Sequence, residues 1–413
     1  MSPNDWLHEL ASQEPLRQLL APARELQDAA GYGCTLGEIC QQPKTWTGTA
    51  ALAAEARSGL AELLADAQWL AITGSGSSQY AGECVHPALQ AELGIPTWTS
   101  GGGWLLVDGS RAVPRGRPGL LVSLARSGES PESAGVVESF LQTEPLVRHL
   151  IITCNPRGRL ATGFAGDRRV MVLQLDARTN DRSLVMTSSF TNLVIAGRAL
   201  GFLADPAAYV SLVERLACAA RALLLRHAAG LAEAARRPFR RAVYLASGCR
   251  YGAARESGLK MLEMNSGRIP TMAETYLGVR HGPMCVIDDD TLVVCYLASD
   301  PLTRAYEEDL LMELNRTGLG GRKLIVGEGI PGSLLKANDL AVEIPGMAAL
   351  GDANVPVLDA MAGQLLAFFR CLAEGLRPDM PSAGVISRVV NAFPVHRGKK
   401  ETEEVCDSSS SEN

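Results

Sequence analysis

The stretch WLAITGSGSS at residues 69–78 decides the fold of this chain. Its first half is a short, continuously apolar run, and its second half is a turn of Gly and Ser residues. Continuous apolar runs of this length are typical of strands in a parallel sheet that is covered on both faces. A helical pattern follows the turn to about residue 93. The stretch therefore predicts a strand, a tight turn and a helix, which is the repeating unit of an α/β fold.

The same unit recurs along the chain. Further strands are predicted from apolar runs at residues 120–124, 150–153, 170–175, 242–246, 291–297, 323–326 and 340–344. Helices are predicted after residue 130 and over residues 190–203, 253–265, 302–315 and 358–376. Because the pattern of strand, Gly turn and helix restarts near residue 241, we predict an α/β fold. It consists of two similar flavodoxin-like, three-layer αβα domains with parallel sheets.

Four segments are predicted: an N-terminal helical segment at 1–55, a first α/β domain at 56–225, a second at 226–396 and a tail at 397–413. In the first segment, Pro15 and Pro22 divide an apolar helical pattern into short pieces. A helix beginning near residue 35 and a helix over 52–67 follow. The tail is charged and then Ser-rich, a composition that is typical of disorder.

Composition excludes several classes of function. The 413 residues are enough for two or three domains, and 46% hydrophobic with 20% charged residues is typical of a soluble globular protein. A net charge of −6 gives no electrostatic reason for nucleic acid as the main partner. The longest apolar runs have the length of strands, so no membrane span is predicted. The N-terminus lacks the basic and apolar regions of a secretory signal.

The metal-binding residue types are dispersed. No two of the ten Cys lie within four residues of each other, and the six His show no paired spacing. This argues against a zinc cluster or a redox pair, so we predict no metal and no other cofactor. Several Cys lie in apolar sequence, as buried free thiols do, which indicates a reducing cytoplasm. No Walker-type Lys follows the Gly turns, which disfavours nucleotide hydrolysis.

Two turns place hydroxyl groups at predicted helix N-termini, at residues 74–78 and 127–130. Residues 187–189 (Thr-Ser-Ser) precede another helix. Backbone N–H groups at such termini bind anions, and hydroxyl groups suit a phosphate monoester because they donate without adding charge. Gly and Ser are also common in these turns for geometry and capping alone. Two turns in one predicted domain, together with residues 187–189, favour phosphate binding over that structural explanation.

Three residues further along supply groups for proton transfer. Lys260 and Glu263 lie three apart on a predicted helix and therefore share one face. His281 opens a Gly-Pro turn, where a loop presents it to a ligand. Alone, the first two residues are compatible with an exposed ion pair, and His281 is compatible with a structural role. Together they supply a cation, a carboxylate base and a titratable imidazole. These are the groups that proton transfer on a phosphorylated sugar requires.

These residues resemble those of tandem sugar isomerase (SIS) domain proteins. The motifs that carry the resemblance are at residues 76–78, 125–130, 254–260 and 281–283. The pattern is similar to the isomerase half of glucosamine-6-phosphate synthase. It resembles more closely the bacterial galactosamine-6-phosphate deaminase/isomerase family, also called tagatose-6-phosphate ketose/aldose isomerase. Further matching features are at residues 35–46, 127–133, 153–155, 181–182, 186–189, 252–257, 280–283 and 387–390, with His396. The resemblance covers roughly residues 30–396 and identifies 56–225 and 226–396 as two SIS domains.

The resemblance implies a role for each candidate residue. It implies that a sugar 6-phosphate is bound by four residues: Ser77, Ser78, Ser127 and Ser130. It also implies that Arg126 adds positive charge to that site and that Thr187 and Ser188 line the pocket. Glu263 corresponds to the base that moves a proton between C1 and C2, and Lys260 contacts the substrate or orients Glu263. His281 corresponds to the acid and base of ring opening, which related enzymes take from the neighbouring subunit. The resemblance thus implies a homodimer with shared active sites.

The function implied is conversion of D-galactosamine 6-phosphate to D-tagatose 6-phosphate and ammonia, in amino-sugar catabolism. Three alternatives stay open: plain aldose–ketose isomerisation, ammonia release from a fructosamine-type adduct, and a non-catalytic sugar-phosphate sensor. The sensor is disfavoured because Glu263 and His281 occur together and no DNA-binding domain is evident. Residues 274–279 depart from the family, which tends to carry a Ser-Pro-Thr step there, so the C4 configuration of the substrate stays open.

Overall fold

The protein is described by a computed structural model that covers residues 9–10, 13–164, 166–382, 384–390 and 393–396. The strands are β1 (Leu70–Gly74), β2 (Thr97–Gly101), β3 (Gly119–Ala125), β4 (Val147–Thr153), β5 (Val170–Gln174), β6 (Arg241–Leu245), β7 (Thr271–Glu274), β8 (Thr291–Tyr296), β9 (Arg322–Gly327) and β10 (Leu340–Glu343). The first helices are α1 (Leu16–Leu20), α2 (Arg24–Ala30), α3 (Gly33–Glu55), α4 (Arg57–Leu64), α5 (Ser77–Leu93), α6 (Gly102–Asp108) and α7 (Pro131–Thr143). The others are α8 (Arg159–Thr162), α9 (Ser188–Arg198), α10 (Pro206–Arg236), α11 (Arg250–Met264), α12 (Pro301–Thr317) and α13 (Pro356–Ala373).

Two five-stranded parallel sheets, both flanked by helices, confirm the predicted α/β architecture. The first sheet has the order β2-β1-β3-β4-β5 and the second has the order β10-β9-β8-β6-β7. Numbered within each sheet, both orders are 2-1-3-4-5, which is the flavodoxin-like arrangement. The repeated sequence pattern therefore corresponds to a repeated fold.

The sequence analysis missed β2 and β7, whereas the other strands lie on predicted apolar runs. Both missed strands form an edge of their sheet. Neither is continuously buried, since all the residues of β7 and four of the five in β2 are half-buried. An edge strand that is partly exposed accepts polar residues, so the sequence shows no continuous apolar run there.

The N-terminal segment is helical, as predicted. α1 begins directly after Pro15, and Pro22 separates α1 from α2. α3 begins at Gly33, two residues before the predicted start, and runs for 23 residues. Its N-terminus is capped from far along the chain, because the Asp379 carboxylate accepts hydrogen bonds from the N–H groups of Cys34 (3.0 Å) and Thr35 (2.7 Å). A carboxylate at this position satisfies free N–H groups and complements the helix dipole.

One continuous hydrophobic cluster fills the space between the two sheets. It takes residues from β1, β3, β6 and β8 and from the helices α3, α5, α9, α10, α11 and α13. α13 is the most apolar of these helices, with a mean hydropathy of 1.3, and is long enough to cross a membrane. However, 89% of that window is buried inside the protein, so the apolar surface of α13 is covered by the other elements of the fold.

The predicted domain boundary at 225/226 falls inside α10, which runs without interruption for 31 residues. The two sheets are therefore joined by a continuous helix as well as by a common core. The division at that residue stays a prediction. The tail at 397–413 lies outside the described residues. The nine cysteines that the structure describes are all free thiols.

The second sheet carries a counterpart of the first sheet's turn after β3. Both turns lead into a helix that begins at a proline, Pro131 in α7 and Pro301 in α12. In the second turn, the Asp352 carboxylate accepts hydrogen bonds from the N–H groups of Ser299 (3.0 and 2.9 Å) and Asp300 (2.9 Å). The buried Arg250 guanidinium lies 3.5 Å from the same carboxylate. A side chain of the protein therefore occupies the N-terminus of this helix.

Candidate active site

A cavity of about 310 Å³ opens at the carboxyl ends of β1 and β3, where parallel sheets bind ligands. Its walls come from two turns of the first sheet, from α11 and from two later segments of the chain. The lining residues are Ser75, Gly76, Ser77, Ser78, Leu124, Ala125, Arg126, Ser127, Gly128, Ser130, Ser133, Leu184, Met186, Leu259, Lys260, Glu263, Ile386, Ser387, Arg388 and Val390. Seven of the ten predicted site residues are in this set: Ser77, Ser78, Arg126, Ser127, Ser130, Lys260 and Glu263.

The turn after β1 forms one wall, and its glycines set its shape. Gly76 has a φ of 57°, which favours glycine. A Cβ atom at Gly74 would lie 2.6 Å from the Ser78 side chain. The tight turn brings Ser77 and Ser78, both about 5% exposed, to the start of the 17-residue helix α5. Two hydroxyl groups and a helix N-terminus therefore lie at the cavity, as a phosphate site requires.

The turn after β3 forms the facing wall. Gly128, with a φ of 65°, lets the chain reverse. The amide of Asn155 donates to the Ser127 carbonyl oxygen at 2.8 Å and holds the turn. Ser130 precedes α7 and its hydroxyl makes no capping hydrogen bond to that helix. That hydroxyl is therefore left to serve a ligand in the cavity.

α11 supplies the charged floor of the cavity. Glu256, Lys260 and Glu263 lie at positions i, i+4 and i+7, so they share one face of the helix. Gly252 lets this face approach α5, because a Cβ atom there would lie 2.6 Å from the backbone nitrogen of Cys84. Close packing of α11 on α5 therefore places Lys260 beside the turn after β1.

The Lys260 ammonium group connects the charged floor to the phosphate turn. Its Nζ lies 2.6 Å from Glu263 Oε2, 3.1 Å from Ser77 Oγ and 3.3 Å from Glu256 Oε1. The side chain of Lys260 is completely buried, which excludes the exposed ion pair considered above. The side chain of Glu263 is 24% exposed and lines the cavity, so its carboxylate is accessible to a ligand.

Burial and mutual charge set the ionisation of this group. Burial opposes the charge on Lys260, but the carboxylates of Glu256 and Glu263 outweigh it and raise the pKa of Lys260 above its ordinary value. Burial raises the pKa of Glu256 to about 7. The attraction of Lys260 opposes this rise, and the repulsion of Glu263 adds to it. The sequence analysis did not select Glu256, although its spacing of four from Lys260 on the same helix was a usable signal.

Three predicted site residues lie outside the lining of this cavity. Thr187 and Ser188 are completely buried, and the cavity wall in this part of the chain is formed instead by Leu184 and Met186. The Thr187 N–H donates to Asp181 Oδ2 at 2.8 Å, which holds this residue below the wall. Thr187 and Ser188 are therefore not among the residues that line this cavity, and their role at the pocket stays a prediction. His281 is exposed on a short 3₁₀ turn, away from Glu263 of the same chain.

One cation at the cavity was missed by the sequence analysis. Arg388 is half-buried, lines the cavity and comes from the C-terminal segment. Its backbone carbonyl oxygen accepts a hydrogen bond of 2.6 Å from Arg126, which is 7% exposed. The sequence pattern around Arg388 marked a resemblance to the family, but nothing local indicated that this segment returns to the cavity.

Among the described residues, Asp28, Cys34 and Asp379 lie close enough together to share a metal ion. Both carboxylates have other partners. Asp28 forms an ion pair of 2.8 Å with Arg24, and Asp379 caps α3. None of the three residues lines the cavity.

No protein-family model matches the chain. It is 36% identical over 378 residues to a Streptomyces coelicolor protein provisionally named D-galactosamine-6-phosphate deaminase AgaS, covering 88% of this chain and 95% of that protein. It is 33% identical over 373 residues to the Escherichia coli D-galactosamine-6-phosphate deaminase AgaS, covering 87% of this chain and 94% of that protein.

Solved structures show the same relationship. The E. coli tagatose-6-phosphate ketose/aldose isomerase is 31% identical, with a TM-score of 0.79 over 86% of this chain and 96% of that chain. A protein of Clostridium novyi that is provisionally given the same name is 28% identical, with a TM-score of 0.87 over 92% of this chain and 99% of that chain. The chain therefore belongs to the AgaS family of amino-sugar-phosphate deaminases and isomerases, which are built on the tandem sugar isomerase fold.

Proposed function

We propose that this enzyme converts D-galactosamine 6-phosphate to D-tagatose 6-phosphate and ammonia, in amino-sugar catabolism in the cytoplasm. The observation that carries the proposal is the position of Lys260, whose ammonium contacts both Glu263 and Ser77. A proton-transfer group and a phosphate-binding turn are thereby joined at one cavity. The names of the E. coli relatives support the choice of sugar, and the free thiols support the compartment.

Binding begins at the two Ser turns. The phosphate accepts hydrogen bonds from the hydroxyl groups of Ser77, Ser78, Ser127 and Ser130 and from backbone N–H groups at the start of α5 and α7. Fixing the phosphate holds the sugar chain so that C1 and C2 lie over Glu263, which lowers the entropic cost of reaction.

Ring opening follows, and here the enzyme acts as a homodimer. An acid and base must move a proton between the anomeric hydroxyl and the ring oxygen, and His281 of the partner subunit supplies this imidazole. Two observations support this arrangement. His281 is exposed, and it lies outside the cavity of its own chain. In a twofold dimer each chain gives one His281 to the other, which completes two shared sites.

Proton transfer then moves the carbonyl group from C1 to C2. The Glu263 carboxylate removes the C2 proton, and electrons flow toward the C1 carbonyl oxygen, which takes up a proton released by the substrate's ammonium group and becomes a hydroxyl. Lys260 stabilises the charge that develops on that oxygen. Glu263 returns the proton to C1, which leaves an imine at C2. Water adds to the imine, the C–N bond breaks, and ammonia leaves with the ketose as product.

The test is ammonia release from the purified protein, given galactosamine 6-phosphate and, separately, glucosamine 6-phosphate. We expect release mainly from the galacto sugar, with tagatose 6-phosphate as the product. Release mainly from the gluco sugar would reject the proposed substrate while retaining the reaction type. Binding of either ester without release, together with interconversion of an aldose and a ketose phosphate, would identify plain isomerisation instead.

A further inference from the structure

We propose that Arg388, acting with Arg126, is a substrate-binding residue that recognises the doubly charged form of the phosphate. This inference rests on the proposed function, because it assumes that the cavity holds a sugar phosphate. It adds a charge requirement to that function. The hydroxyl and N–H groups of the Ser turns are neutral donors, whereas the two guanidinium groups make the site select a dianion over a monoanion of the same shape.

The hydrogen bonds of Arg388 leave its charge available. Its Nε donates to the carbonyl oxygen of Asp181 at 2.7 Å, and its Nη2 donates to Asn180 Oδ1 at 2.5 Å. Both acceptors are neutral oxygens, so they orient the guanidinium group without neutralising it.

Arg126 is held in the same way. Its Nη1 donates to the carbonyl oxygens of Leu184 (2.9 Å) and Ser183 (3.4 Å), and its Nη2 donates to the carbonyl oxygen of Arg388. The two arginines are therefore linked through the backbone of one of them. Among the described residues, both guanidinium groups donate hydrogen bonds only to neutral oxygen atoms.

Two other buried arginines are compensated differently. The Arg250 guanidinium forms two hydrogen bonds of 2.7 Å to Asp359, and Arg198 contacts Glu92 at 2.6 and 2.7 Å. At those places the fold supplies a carboxylate to compensate the buried charge, as a structural role requires. At the cavity the hydrogen bonds of Arg126 and Arg388 go to neutral oxygens, and the carboxylate that lines the cavity, Glu263, is paired with Lys260, so both guanidinium groups can pair with an anionic ligand.

The carboxylate with the largest electrostatic effect on Arg126 is that of Asp181, whose Oδ1 has no hydrogen-bond partner among the described residues. Its Oδ2 accepts hydrogen bonds from the N–H groups of Thr187 and Ser189, both at 2.8 Å, and from the Ser189 hydroxyl at 2.6 Å. Burial lowers the pKa of Arg126, Asp181 opposes this effect and the charge of Arg388 adds to it. Glu263 and Glu38 also favour the charged form of Arg126, so these carboxylates offset part of the repulsion between the two cations.

Glu38 fixes the loop that carries these carbonyl groups. Its Oε1 accepts hydrogen bonds from the N–H groups of Arg182 (2.5 Å) and Ser183 (3.2 Å). Anchoring the two N–H groups directs the carbonyl oxygens of residues 181–184 toward the arginines. Glu38 and Asp181 are positioning residues in this arrangement, since they act on the substrate only through Arg126 and Arg388.

The test compares two esters of the same shape, galactosamine 6-phosphate and galactosamine 6-sulfate, by calorimetry on the full chain carrying Glu263→Gln, so that the phosphate ester binds without turnover. The variants are Arg388→Gln and Arg388→Lys. Arg178→Gln is the matched control, because Arg178 is a neighbouring cation that pairs with Asp176 at 2.5 Å and does not line the cavity. Dissociation constants are measured near pH 7.5, where the phosphate is a dianion and the sulfate is a monoanion.

We expect Arg388→Gln to weaken phosphate ester binding about tenfold or more and sulfate ester binding much less, so that the preference for phosphate shrinks. Arg388→Lys should restore part of the preference, and Arg178→Gln should leave it unchanged. Equal weakening of both esters by Arg388→Gln would indicate a merely structural role and would overturn the proposal, as would no weakening. Because the readout is binding, failure of ammonia release in the wild type would reject the proposed reaction and leave this test valid.

Discussion

The ammonium group of Lys260 lies 2.6 Å from the carboxylate of Glu263, one turn further along α11. The lysine is buried, and the carboxylates of Glu256 and Glu263 raise its pKa, which favours its cationic form. Glu263 is therefore oriented and electrostatically supported by a fixed partner.

Glu263→Gln should remove turnover while retaining ligand binding. The amide has nearly the same shape but cannot accept the C2 proton, so kcat should fall by about a thousandfold or more. The dissociation constant for galactosamine 6-phosphate should change little. Glu129→Gln is the control, because Glu129 is an exposed carboxylate in the turn after β3. Ammonia release from the Glu263→Gln variant near the wild-type rate would exclude Glu263 as the base.

Lys260→Met should be strongly destabilising at pH 8. It leaves the buried Glu256 carboxylate without its cation, at a cost of about 3–5 kcal/mol in the free energy of unfolding. Adding Glu256→Gln to this variant should recover part of the loss, because it removes the uncompensated charge. Urea unfolding of the wild type, both single variants and the double variant forms a cycle that measures this coupling. Strictly additive effects would show that the two residues do not interact.

Glu256 should give the protein a specific pH dependence. Its pKa is raised from 4.5 to about 7, so the folded state holds this proton more tightly than the unfolded state does. The resulting stability is fully present below about pH 4.5 and is lost as the pH rises through about 7. Glu256→Gln removes the titrating group, so the difference in unfolding free energy from the wild type should change steadily between these two values. A constant difference would contradict the raised pKa.

Glu38→Gln should be tolerated, whereas Glu38→Ala should not. Burial and the neighbouring charge of Asp181 raise the pKa of Glu38. The Ser183 hydroxyl contacts both Glu38 Oε2 and, at 2.9 Å, the carbonyl oxygen of Val185. A hydroxyl has one hydrogen for these two acceptors, so a protonated Glu38 resolves the conflict by donating to Ser183.

A glutamine at position 38 reproduces that neutral donor and acceptor pair. We therefore expect Glu38→Gln to keep the unfolding free energy within about 1 kcal/mol and to retain substrate affinity. Glu38→Ala leaves two N–H groups of the loop unsatisfied, so it should lose about 2 kcal/mol or more and weaken substrate binding. Thermal unfolding and calorimetry on both variants provide the measurement. A loss of about 2 kcal/mol or more on Glu38→Gln would mean that Glu38 is ionised in the wild type.

Shared active sites predict complementation between two inactive variants. His281→Asn lacks the ring-opening group and Glu263→Gln lacks the base, so both homodimers should be nearly inactive. A hybrid dimer has one site that carries both defects and one intact site. Refolding an equal mixture should therefore restore about a quarter of wild-type activity, since half the dimers are hybrids. No recovery would show that His281 acts within its own chain or not at all.

The features that the sequence predicts well are local ones. The buried strands, the Gly and Ser turns and the shared face of Lys260 and Glu263 all follow from spacings of a few residues, which fixed helix and strand periods turn into geometry. The N-cap position of Ser130 before Pro131 follows in the same way.

The features that it misses depend on contacts between distant segments. Arg388 contacts Asp181 across 207 positions, and Glu38 contacts Ser183 across 145. The periodic patterns of helices and strands extend over only a few residues, so they do not indicate such contacts. The burial of Thr187 and Ser188 has a related cause. The direction in which this loop enters α9 is set by Asp181, and that direction decides which neighbouring residue faces the cavity.

The carboxylate of Asp352 on the second turn acts as a tethered ligand. Because it belongs to the same chain, its effective concentration at the N–H groups of Ser299 and Asp300 exceeds what a free metabolite reaches in solution. The counterpart of the phosphate site is thus permanently saturated from within, with Arg250 as its counterion. Of the two copies of the fold, the first leaves its turn after β3 open to the cavity, so the proposed function predicts one substrate per subunit at these paired turns.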